Sequence, residues 1–161
     1  MAKAWKIEGL KSQKSYRKNA SIILPIKIAE VYSWDKYIDD PQNVEELHNM
    51  RISIKRLRYS MEFFSVNYGK KFGELIQVWV DLQRLLGDIH DCDVGQDALM
   101  DYLEDPSQRD NEGVNVIGIN TLILRYRQTR QERYQEFLTY WTSLQKKDFK
   151  GNLLGIIKKS N

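Results

Sequence analysis

The chain has 161 residues, 42% hydrophobic and 29% charged, which is long enough to bury one core unaided and excludes both a disordered and a membrane-dominated composition. Its formal net charge of +3 excludes nothing about partners, so the placement of cations has to carry the argument. Cys92 stands alone, which rules out an internal disulfide and points to a reducing compartment.

No apolar run approaches about 18 residues, and residues 1–10 lack an uninterrupted apolar stretch. Neither a spanning helix nor a secretory signal is expected, so the expected location is the cytoplasm. Three prolines and nine glycines, set among many Leu, Ile, Lys, Arg, Gln and Glu, favour an all-α fold.

Residues 1–10 read as an irregular lead-in. From residue 11 to about 38 the pattern is helical, with Ile22, Ile23, Ile26, Ala29, Trp34 and Tyr37 as candidate core. Pro25 removes one donor and should kink that helix or split it near Leu24. Lys11, Lys14, Arg17 and Lys18 cluster on one broad face, which suits a solvated basic end and a share in an anion site equally well. Asp39, Asp40 and Pro41 form a break, after which Asn43 is placed to cap the next helix, with Glu46 completing a capping box.

The second helix runs from Val44 to about Val66, with Gly69 as its stop signal. Its apolar residues, Leu47, Met50, Ile54, Leu57, Met61 and Phe64, recur at steps of three and four and define one face. At about 100° per residue, His48, Arg51, Lys55 and Arg58 form a second stripe beside that face, about 15 Å long. Arg56 falls outside the stripe, and Glu62 ends it with the opposite sign. A row of like charges beside a core costs folding energy by self-repulsion, which makes sense if an extended anion lies along it. The bland alternative is a solvated charged face. Against it, the cations flank the apolar stripe, have few acidic partners at i±4, and are continued by a histidine.

A third helix starts near Lys70 and carries Phe72, Leu75, Ile76, Trp79, Leu82, Leu86, Ile89 and Asp93 at helical spacing. It reads through to Leu103 despite Gly87, where a close approach of another group is expected. Residues 104–113 form the clearest loop. The fourth helix covers roughly residues 114–147, with Val116, Ile119, Ile123, Tyr126, Tyr134, Phe137, Trp141 and Leu144 as its ladder. Arg130 and Arg133 interrupt that face, as side chains that snorkel or enter a polar channel. Residues 148–161 form an apolar tail expected to fold back. The architecture is therefore an antiparallel four-helix bundle with long helices, a single unit over residues 11–147.

Asp88, His90, Asp91, Cys92, Asp93 and Asp97 invite a metal reading, but only Asp93 and Asp97 make an i,i+4 pair, and no Cys-rich or His-x3-His spacing is present. The preferred role for Asp91 and Asp88 is to orient Arg51, Lys55 or Arg58 from a neighbouring helix. No phosphate loop, nucleophile elbow or zinc-protease motif occurs, and Cys92 reads as a small buried residue, so no enzymatic activity and no cofactor is expected.

Two segments carry a family resemblance: His48-x-x-Arg51-x-x-x-Lys55-Arg56-x-Arg58-Tyr59-x-x-Glu62-Phe63-Phe64, and Leu82-Gln83-x-Leu85-Leu86-Gly87-x-x-x-Asp91-x-x-Val94. Together they resemble the CHAD domain, a family of helical bundles that bind inorganic polyphosphate, often beside a triphosphate-processing CYTH domain. The resemblance covers about residues 43–97 and implies a polyphosphate-binding module without catalysis of its own. His48, Arg51, Lys55 and Arg58 match its phosphate-binding pattern, Arg56 and Tyr59 match the motif, and Asp91 matches its acidic position. Arg130 and Lys14 or Lys18 are further lining candidates.

The family's domain has two such four-helix halves with the basic channel between them, whereas this chain carries one motif set, of second-half type. Either one bundle binds along a single groove, or two chains associate as a homodimer to rebuild the channel. Location on polyphosphate granules follows as an expectation. No CYTH-like segment is seen, so hydrolysis is not implied. The rival readings are single-stranded nucleic acid, for which only Tyr59 offers a stacking surface beside the stripe, and a structural or metal-chelating helical adaptor.

Overall fold

A computed structural model of the chain describes residues 3–10, 15–105 and 115–159. Five α-helices, α1 Tyr16–Tyr32, α2 Val44–Phe64, α3 Lys70–Glu104, α4 Val116–Lys146 and α5 Phe149–Lys159, account for the fold, with 3-10 turns at Asp35–Tyr37 and Ser65–Asn67. Among the described residues there is no strand. The all-α bundle is as expected, and the tail contributes a fifth helix to it.

α1 and α4 start on side-chain caps. The Ser15 hydroxyl accepts from the Lys18 amide, and the Asn115 side chain accepts from the Gly118 amide at 2.8 Å. Asn43 departs from expectation. It sits at the cap position of α2, but its side-chain amide donates to the Tyr37 carbonyl at 2.8 Å instead of capping the helix. The reversal at residues 38–43 folds its backbone within reach of that amide. Gly69, expected to stop α2, instead precedes the first turn of α3, since α2 has already tightened into a 3-10 turn.

α3 packs between α2 and α4, α1 lies on α2, and α5 closes the bundle against α1 and α4. Neighbours in sequence run antiparallel: the Tyr16 hydroxyl donates to the Phe63 carbonyl near one end of α1–α2, and Glu30 meets Arg56 near the other. The six apolar residues of α2 are all buried, as its periodicity predicts, and meet Phe72, Trp79, Leu82, Leu85, Leu86 and Ile89 of α3. Leu153 and Ile157 of α5 are buried too, and the Phe149 ring meets Trp79 edge-on at 5.5 Å.

The core face of α1 is a correction. Ala20, Leu24, Ile28 and Val31 point inward, while Ile22, Ile23, Ile26, Ala29, Trp34 and Tyr37 are only partly buried. Residues 22–31 are apolar nearly all round, so periodicity alone does not set the phase. α1 also runs unbroken through Pro25. The carbonyl four residues earlier belongs to Ser21, which is half-exposed, so water can satisfy it.

On α4, Tyr134, Phe137, Trp141 and Leu144 are buried as expected, but Val116 and Tyr126 are exposed. The cause is position along the bundle. The α1–α2 corner meets α4 at Tyr134, whose hydroxyl donates to the Ile38 carbonyl, and at Arg130, which donates to the Pro41 carbonyl. Before Arg130, α4 packs on α3. The Tyr126 ring there crosses Gly95, where a Cβ would lie 2.8 Å from the ring.

Candidate anion-binding groove

The stripe of α2 faces α3, and three rungs cross the groove between them. Arg58 Nε donates to Gln83 Oε1 at 2.9 Å. The Arg51 side chain lies over Gly87, its Nε 3.5 Å from where a Cβ would stand. The His48 ring stacks on His90, with centroids 4.2 Å apart and planes tilted 37°. Gln83, Gly87 and His90 are spaced by four and three residues, so they share the face of α3 that antiparallel α2 meets. Gly87 is thus where the close approach occurs: a larger side chain would occupy the space of the Arg51 guanidinium.

The cations differ in how far they are satisfied. Arg58 is neutralised in part by Glu62 at 2.9 Å and lies 4.3 Å from the centroid of the exposed Tyr59 ring. Lys55 is exposed, with no ion-pair partner among the described residues. Arg51 Nε and His48 Nδ1 are buried atoms without a hydrogen-bond partner. Burial, followed by the neighbouring His90 and Arg51, lowers the His48 pKa from its ordinary value, with Glu45 opposing weakly. In the free protein His48 therefore stays neutral at neutral pH.

The remaining candidates lie elsewhere. Arg56 turns to the opposite flank of α2, where it pairs with Glu30 at 3.2 Å. Lys18 is exposed on the first turn of α1, the helix on that same flank, and Lys14 lies outside the described residues. Arg130 donates to Asp93 and to the Pro41 carbonyl at 2.7 Å, joining α4, α3 and the corner before α2.

The acidic support expected for the stripe has other partners. Asp88 faces Arg133 of α4 at 3.6 Å, and Asp91 is exposed, without an ion pair to the stripe among the described residues. Successive residues on α3 diverge by about 100°, which sends these carboxylates to α4 and to solvent while Gln83 faces Arg58. Gln83 and His90 are the groove residues that sequence reasoning missed as site members. Their 4,3 spacing with Gly87 was the available signal.

Cys92 is buried, and burial followed by Asp93, Asp88 and Asp91 raises its thiol pKa, which suits an inert packed residue. Among the described residues no group of three or more His, Cys, Asp or Glu could hold a metal ion, and no helix is long and apolar enough to cross a membrane. A depression of about 620 Å³ lies on the other side of α3, against α4. It mixes Asp81 and Glu136 with Arg84 and Tyr140, a poor match for a polyanion.

The fold is that of an all-α helical bundle. The family model of the CHAD domain matches residues 11–100, more than half of the chain, and the chain belongs to that family. The CHAD domain is associated with polyphosphate- and triphosphate-binding proteins. No curated protein and no solved structure matches the chain.

Proposed function

We propose that the α2–α3 groove binds inorganic polyphosphate without catalysing its breakdown. The observation that carries this reading is the alignment of His48, Arg51, Lys55 and Arg58 along the α2–α3 seam, where Glu62 pairs with Arg58. Holding such a row together is unfavourable in the free protein and favourable once an extended anion neutralises it. Arg51 and Arg58 supply planar forks that bridge phosphate oxygens, Lys55 supplies a point charge, and His48 supplies a hydrogen-bond donor.

Binding of long-chain polyphosphate should weaken linearly with the logarithm of salt, by the counterion release that governs nucleic-acid complexes. Replacing Arg51 and Arg58 together by Ala should cost at least about tenfold in affinity and lower the salt slope by about 1.5. Unchanged affinity and slope would refute the assignment.

Single-stranded nucleic acid is the second reading, and the exposed Tyr59 ring beside Arg58 is what favours it. Competition decides between them: long-chain polyphosphate should displace single-stranded RNA from the protein at far lower phosphate concentration than the reverse.

A further inference from the structure

The histidine end of the groove has chemistry that the cationic row does not account for. The chain's two histidines, His48 on α2 and His90 on α3, meet there with ring centroids 4.2 Å apart and planes tilted 37°. Stacked imidazoles are compatible while at least one is neutral, whereas two imidazoliums at that distance repel. The surroundings provide little counter-charge. On α2, Arg51 adds to the positive field and Glu45 opposes it weakly. On α3, Asp93 lies one turn beyond His90 and is engaged by Arg130 of α4. His48 Nδ1 and Arg51 Nε, both buried, have no hydrogen-bond partner among the described residues. A phosphate docked on the exposed part of the two rings would give the pair a counter-ion.

Resting on the groove reading above, we propose that His90 is a second histidine ligand of the site, and that docking of a phosphate group against His48, His90 and Arg51 brings a proton from solvent onto the imidazole pair. The lowered His48 pKa of the free protein sets the sign. Free, the imidazole is neutral at neutral pH; bound, the anion stabilises the imidazolium and raises its pKa. Affinity then climbs as pH falls through the interval between the free and bound values, by up to about tenfold per pH unit for one proton, and is flat above it.

Calorimetry on the full chain, with linear polyphosphate of defined length, tests this. At about pH 7, titrations in two buffers of different ionisation enthalpy should show net proton uptake. Chain-end phosphates titrate near pH 6 as well, so wild type is compared with His48→Gln and His90→Gln. Each variant should lose the extra affinity gained between about pH 8 and pH 6, whatever its affinity at the higher pH. In the wild-type protein itself, the NMR titration midpoint of His48 should move up when polyphosphate is added, a readout independent of whether either variant folds. An unmoved midpoint, or pH dependence retained in both variants, overturns the proton coupling and leaves the groove reading standing. No binding at either pH overturns both.

Discussion

The Glu30 carboxylate, almost wholly buried, accepts from four donors: the Trp5 amide, Lys27 Nζ, Ser53 Oγ and Arg56. Burial alone would raise its pKa, but the Trp5 amide, the Lys27 charge and the hydrogen bonds from Lys27 and Arg56 outweigh it and hold Glu30 below its ordinary value. Its contribution to stability is therefore present above about pH 4.5 and lost as pH falls through the lower folded value. Glu30→Gln leaves Lys27 buried with an uncompensated charge. It should cost about 3 kcal/mol at neutral pH and flatten the acid limb of a urea-denaturation series. Arg56→Ala should likewise lower the melting temperature and leave polyphosphate affinity nearly unchanged, because Arg56 serves this cluster on the α1 side of α2.

Gly87 separates two effects at a single position. A Cβ there would lie at ordinary contact distance from Arg51 Nε, so Gly87→Ala should raise stability by up to about 1 kcal/mol through helix propensity and keep binding. Gly87→Leu should keep the helical circular dichroism and weaken polyphosphate binding, because its branches take the space of the Arg51 guanidinium. Equal affinities for both variants would show that Arg51 does not need this seat.

Among the elements, α3 is the spine: one face supplies the groove, another pairs with the arginines of α4, and a third is core. α5 is small but matters for stability, since Leu153 is completely buried and Phe149 seats against Trp79. Leu153→Ala should cost about 2–5 kcal/mol in chemical denaturation. Loss of well under 1 kcal/mol would mean that α5 merely lies on the bundle. The α3–α4 hairpin beyond the Asp93–Arg130 pair is a two-helix layer, which is why Ile117 stays 82% exposed and Leu124 62% exposed.

For the whole molecule, one groove per chain poses the question of assembly. If two grooves are needed to enclose a polyanion, light scattering at micromolar concentration should give twice the chain mass, at least with polyphosphate present. A monomer that binds with undiminished affinity would show that one α2–α3 groove suffices.

Much of this was legible in the amino-acid order. The 3,4 steps of Leu47 to Phe64 determine the buried face of α2, and with it the side on which His48, Arg51, Lys55 and Arg58 emerge. Helical angle alone placed Arg56 outside that stripe. The motif around Gly87 marked a close approach before its partner was known. Tertiary structure decided the rest, because it depends on which helix lies against which face. The phase of α1 required the buried Lys27–Glu30–Arg56 cluster, since its apolar residues run all round. Whether Asp88 and Asp91 served α2 turned on the rotation of α3, which sends Asp88 to Arg133 of α4 and Asp91 to solvent. The stacking of two histidines 42 residues apart was likewise set by the register of α2 against α3, because helical periodicity gives each helix a face but not a partner or a register.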